Sequence, residues 1–141
     1  MTTSGISSLD HAPQVVAEWL NRLCDDLGWY DKGRAYMLLR MTLQTLRDFL
    51  TPDEAADLAA QLPILVRGIY FEGWDPSKSP AYPRGKDDFM ARVAAPFRDN
   101  PPEDMDRAVA AVFDLLRRQV SEGEIDQVAR GLRKPLRELW L

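Results

Sequence analysis

The feature that most constrains this chain is a displacement: shifted by 70 positions, its second half lies over its first without a gap. Trp19, Leu20, Leu23 and Leu27 fall on Phe89, Met90, Val93 and Phe97, and Leu39, Leu43, Leu46 and Leu50 fall on Val109, Phe113, Leu116 and Val120. The register continues through Thr51/Ser121, Glu54/Glu124, Leu58/Val128, Leu62/Leu132, Arg67/Arg137, Ile69/Leu139 and Tyr70/Trp140. Few of these pairs are identities. What recurs is the placement of apolar side chains and helix starts, the mark of an internal repeat. Such matching specifies architecture and leaves chemistry open.

The repeating unit reads as helical. Val16, Trp19, Leu20, Leu23 and Leu27 recur at steps of three and four, which predicts a first helix opening near Pro13 and stopped by Gly28. Ala35, Leu39, Leu43, Leu46 and Leu50 continue the pattern over 31–50, widened by Leu38, Met41 and Phe49 into a stripe that a central helix would bury. Thr51, Pro52, Asp53, Glu54 is a capping box, in which the hydroxyl accepts from the amide three residues on and the carboxylate reaches back; Ser121 to Glu124 repeats it. A short helix to residue 61 follows, then one opened by Pro63. The three prolines between Gly73 and Gly85 exclude an element interior there. Helices are predicted again over 86–97, over 101–120 with Asn100 as cap, over 122–131 and over 133–140. No segment alternates with period two, so strands are not expected.

Charge and composition narrow the function classes. Of 141 residues, 45% are apolar and 28% charged, the balance of a globular domain. A net charge of -4 repels polyanions, and Arg117, Arg118, Arg130, Arg133, Lys134 and Arg137 are interleaved with acids, the pattern of a solvated helix face. Nucleic acid is not expected as a partner. Cys24 is the only cysteine, which excludes an intramolecular disulfide and a cysteine-based zinc site. With no signal-peptide core and no apolar run approaching the roughly 20 residues that span a bilayer, the expected location is cytoplasmic, away from membranes.

At Ala60 to Pro63, then Arg67, Gly68, Ile69, Tyr70, Phe71, Glu72, Gly73 and Trp74, and at Phe89 after the linker, the chain resembles the bacterial family catalogued as domain of unknown function 2267. Leu46, Arg47, Leu50 and Glu54 extend the resemblance, which covers about residues 14–141. It implies a compact all-helical cytosolic bacterial protein and carries no activity, cofactor or catalytic residue. One departure is that Leu62-Pro63 becomes Leu132-Arg133-Lys134-Pro135 in the second half, so the last helix has a different start.

Candidate chemistry is sparse. His11 stands alone, and the serines sit in tail, linker or cap positions without a nucleophile-elbow glycine pattern. The pairs Asp25/Asp26, Asp53/Glu54 and Asp87/Asp88 fall at helix ends, where the macrodipole and solvation account for them. No catalytic residue, metal site or cofactor is expected. Arg67, Tyr70, Arg137 and Trp140 could line a cleft between the halves, although their matched positions favour a shared structural job, closing the core of each half. Trp74 and Tyr82 break the repeat, and are the candidates for contact with a partner.

The expectation is an all-α domain of two tandem four-helix repeats related by internal pseudo-symmetry. A flexible tail would occupy 1–12 and the domain 13–141, divided into a first repeat (14–72), a linker (73–85) and a second repeat (86–141). Its expected role is a non-enzymatic protein-interaction or accessory module, open to homo-oligomerisation; the alternative is a small-molecule-binding protein or enzyme.

Overall fold

The structure, a computed structural model, describes residues 3–140. Eight helices follow in chain order: α1 (Ser7–Leu27), α2 (Lys32–Phe49), α3 (Pro52–Ala59), α4 (Ile64–Phe71), α5 (Lys86–Ala94), α6 (Met105–Gln119), α7 (Glu122–Arg130) and α8 (Lys134–Arg137). Short 3₁₀ turns occupy Pro76–Lys78, Ala95–Phe97 and Glu138–Trp140, and there is no strand among the described residues. The protein is all-α.

The long apolar stripes meet at the centre. Helices α2 and α6 pack on each other, with α1 laid against both; α5 packs on the same two, and α4 lies on α2 while the closing 3₁₀ turn lies on α6. Leu39, Leu43, Leu46, Val109, Phe113 and Leu116 are completely buried in this core. Rings run through it in sequence, Phe49 edge-on to Phe89 at 5.2 Å, Phe89 to Phe113 at 5.9 Å, and Phe113 stacked on Trp140 at 4.1 Å. Burying each such side chain contributes about 1.5–3 kcal/mol, so the stripe residues supply the main driving force for the fold.

Helix ends depart from the sequence reading in three places. The segment expected as a flexible tail over 1–12 is helical from Ser7, and residues 1 and 2 lie outside the described residues. Asp10 accepts from both the amide and the hydroxyl of Ser4, each at 2.8 Å, and these bonds hold its carboxyl below the usual aspartate range. That staple starts the helix one and a half turns before Pro13, which therefore sits inside it without an amide to donate. Helix α6 opens at Met105, capped by Asp104, whose Oδ1 accepts from the Arg107 amide at 3.0 Å. Pro102 biases Pro101 away from helical backbone, so no helix starts directly after Asn100 for it to cap.

The third departure is at α7. Thr51 makes the complete box, its Oγ1 accepting from Glu54 N at 3.2 Å while Glu54 Oε1 accepts from Thr51 N at 2.9 Å. Ser121 Oγ likewise accepts from Glu124 N at 3.3 Å, but its own amide donates to Gln61 Oε1 at 2.8 Å. Helices α3 and α7 pack together here, so a side chain from the end of α3 replaces the carboxylate that local sequence would supply. Glu124 is left buried, with Oε1 unpartnered, and burial together with the charges of Asp57 and Glu54 raises its pKa. Close by, Gly131 lies so near Glu54 that a Cβ there would stand 2.7 Å from Glu54 Oε2.

Candidate functional site

The sequence-derived arginines serve helix ends. Arg67 Nε donates to Ala59 O at 2.8 Å and its Nη2 to Leu62 O at 3.0 Å, satisfying carbonyls where α3 ends. Arg137 Nε donates to Ala129 O at 3.1 Å and its Nη2 to Leu132 O at 3.0 Å, doing the same for α7. Tyr70 is fully buried, its hydroxyl donating to Ala55 O at 2.9 Å, and burial pushes its pKa well above the phenol range. Trp140 is buried against Phe113. Of these four residues, Arg137 and Trp140 share a cleft, a 500 Å³ depression lined by α6, α7 and α8 side chains such as Arg117, Ile125 and Arg130.

Trp74 and Tyr82 have different surroundings. The Trp74 indole is half-buried, stacks on Phe71 at 5.2 Å and donates from Nε1 to Ser79 Oγ at 3.2 Å. Tyr82 is 73% exposed, with the Arg84 guanidinium 5.2 Å from its ring centre. The linker that carries it is anchored, since Ala81 N donates to Asp48 O at 2.7 Å. Asp48 also holds Arg92 of α5 and Arg47 of its own helix. Arg47, 5% exposed, donates from Nη1 to Tyr70 O at 2.8 Å and Glu72 O at 2.9 Å. Sequence reasoning quoted Arg47 only for its family resemblance and missed this clamp. An arginine directly beside an aspartate at the end of an apolar helix was the available signal.

A more voluminous cleft lies elsewhere. It measures 620 Å³ and opens between the turn joining α1 to α2 and the segment leading into α6. Trp29 and Arg34 form one wall, Asn100 to Asp104 and Arg107 the other. Arg34 sits 4.9 Å from the Trp29 ring centre and 5.1 Å from that of Phe97, an arrangement that fixes a cation by its attraction to π faces. Its Nη1 donates across the cleft to Asn100 O at 2.8 Å. Arg107 reaches the opposite way, its Nη2 donating to Asp26 O at 3.2 Å. Nothing in the sequence pattern pointed to these residues, because their proximity arises only when the two turns are brought side by side.

The groups able to do covalent chemistry are dispersed. Cys24 is buried, and desolvation raises its thiol pKa, which disfavours the nucleophilic thiolate. His11 is exposed on α1, and no hydroxyl or thiol among the described residues is hydrogen-bonded to it. No group of three or more His, Cys, Asp or Glu is placed to hold a metal ion among the described residues, and no described helix is long and apolar enough to cross a membrane.

Among curated proteins, none matches the chain. The family model described as an uncharacterized conserved protein (DUF2267) matches residues 16–139, from the third turn of α1 into the closing 3₁₀ turn, and the chain belongs to that family.

Proposed function

We propose that this protein is a non-enzymatic interaction module of the bacterial cytosol, docking a protein partner through the linker that carries Tyr82. The observation behind this reading is that a large aromatic ring is held in solvent on a backbone fixed at Ala81 and under the charge of Arg84. Anchored tyrosines of this kind supply much contact area with little ordering cost. Trp74, stacked on Phe71 and bonded to Ser79, supports the loop from inside. The test is paired substitution: Tyr82→Ala leaves unfolding unchanged and abolishes capture of the partner from lysate of the source organism. Trp74→Ala lowers stability by about 2 kcal/mol or more. Capture that persists without the Tyr82 ring rejects this surface.

Within this reading the architecture is a duplicated unit, α1–α4 followed by α5–α8. The Arg67 and Arg137 bonds support it, since each guanidinium takes carbonyls eight and five positions earlier. So does the reciprocal packing of α1 on α6 and α5 on α2. Superposing residues 16–70 on 86–140 in a crystal structure tests it: Leu43 and Phe113 should coincide, and placement on unrelated helix faces would reject duplication.

A second reading, favoured by the 620 Å³ cleft, is binding of a small molecule where the two interhelical turns meet. Its residues are Trp29, Arg34 and Arg107.

A further inference from the structure

Arg34 and Arg107 have no carboxylate within ion-pair distance among the described residues. Each is instead held by a backbone carbonyl, Arg34 by Asn100 O across the cleft and Arg107 by Asp26 O near the end of α1, and both side chains line the cleft. A carbonyl fixes a guanidinium without neutralising it. Two cations are thus positioned from opposite walls, each with donors to spare, since a guanidinium has five N–H groups and each uses one. Arg34 is further ordered by the Trp29 and Phe97 rings, so little side-chain freedom remains to be lost on binding. Of the two acids on the lining, Asp104 spends an oxygen capping α6, and Glu103 is exposed.

We propose that this cleft binds a small organic oxyanion, a carboxylate or phosphate borne on an apolar ring, with the anion between Arg34 and Arg107 and the ring against Trp29 and the Pro101-Pro102 wall. The inference rests on the small-molecule reading of the cleft and adds the ligand's chemical class. Guanidinium pairs favour oxyanions because their forked donors match the geometry of carboxylate and phosphate.

Four probes on the full chain separate the possibilities: benzoate, phenyl phosphate, benzyl alcohol and benzylamine, followed by two-dimensional NMR of the Trp29 indole and the arginine side chains. The expected result is saturable shifts with benzoate and phenyl phosphate, weakened by added salt. Arg107→Gln, at an exposed position, and Arg34→Gln should each weaken binding about tenfold or more, and Lys at either position should restore part of it. Circular dichroism verifies that the variants remain folded; should Arg34→Gln unfold, Arg107→Gln decides. Binding of benzyl alcohol or benzylamine as tight as that of benzoate, or benzoate binding unchanged by Arg107→Gln, overturns the oxyanion assignment while leaving a ligand cleft. No saturable shift with any probe overturns the cleft reading and the assignment together.

Discussion

Two stretches of this molecule begin from nearly the same local script and finish differently: the end of α2 through α4, and the end of α6 through the closing 3₁₀ turn. Both have an arginine in the last turn of the long helix, a hydroxyl cap with Glu three residues on, and an arginine clamping the short helix behind it. In the first stretch every device is closed. Arg47 is buried on two carbonyls and Asp48, the capping box is reciprocal, and the Tyr70 hydroxyl finds Ala55 O. In the second, the Arg117 side chain is 46% exposed and lies 3.9 Å from Asp114, Glu124 is stranded, and Trp140 Nε1 is buried without a partner among the described residues. Local sequence can nominate a cap or a clamp; neighbours decide whether it is completed.

The core is where the two stretches should behave alike. Leu43→Ala should cost about 2–5 kcal/mol, and Phe113→Ala about 3–5 kcal/mol, through lost transfer energy and a residual cavity, read by denaturant unfolding. A cost below about 0.5 kcal/mol for either would remove it from the packed interior.

The arginines should separate them most sharply. Arg47→Met leaves Tyr70 O, Glu72 O and Asp48 without their common donor, with an expected loss of about 3 kcal/mol. Arg117→Met should change stability by no more than about 0.5 kcal/mol, because an exposed ion pair contributes little. Equal losses would erase the contrast.

The caps come next. Thr51→Ala should cost about 1 kcal/mol. Ser121→Ala should cost the same or less, since the Ser121 amide stays bonded to Gln61. Adding Gln61→Ala should deepen the Ser121→Ala loss and leave that of Thr51→Ala unchanged, a difference measurable in a double-mutant cycle.

The smallest effect is pH-dependent. The folded pKa of Glu124 is raised above its ordinary 4.5 by burial and by Asp57 and Glu54, so its ionisation opposes folding. The stability linked to its protonated form is fully present below pH 4.5 and is lost as pH rises through the folded value. Glu124→Gln should therefore stabilise the protein at pH 7, with the gain fading as pH falls toward 4.5. Thermal melts across that range provide the comparison.

The helical pattern was legible where the physics is local. Apolar steps located α2, Thr51 with Pro52 and Glu54 located the start of α3, and Ser121 located that of α7, because periodicity and capping act within one or two turns. Helix α1 was placed too late, since the Ser4–Asp10 staple outweighed the start signal of Pro13; α6 was placed too early, since Asp104 capped better than Asn100. What could not be read were groups joined over long separations, such as Arg34 with Asn100 and Arg107 with Asp26. Tyr70 and Arg67 were recognised as a conspicuous cluster, but the structure assigns their polar groups to helix carbonyls rather than to an open pocket.

Gly131 ties the two stretches together in a way that bears on how this sequence can drift. A methyl group at position 131 would press on Glu54 Oε2 at 2.7 Å and Leu50 Cδ2 at 3.2 Å, and the carboxylate whose other oxygen closes the cap on Thr51 would have to swing away. A single alanine after α7 would thus loosen a helix start some eighty positions earlier in the chain. A shorter residue at 54 should relieve the contact that a side chain at 131 creates, which couples two sites far apart in sequence.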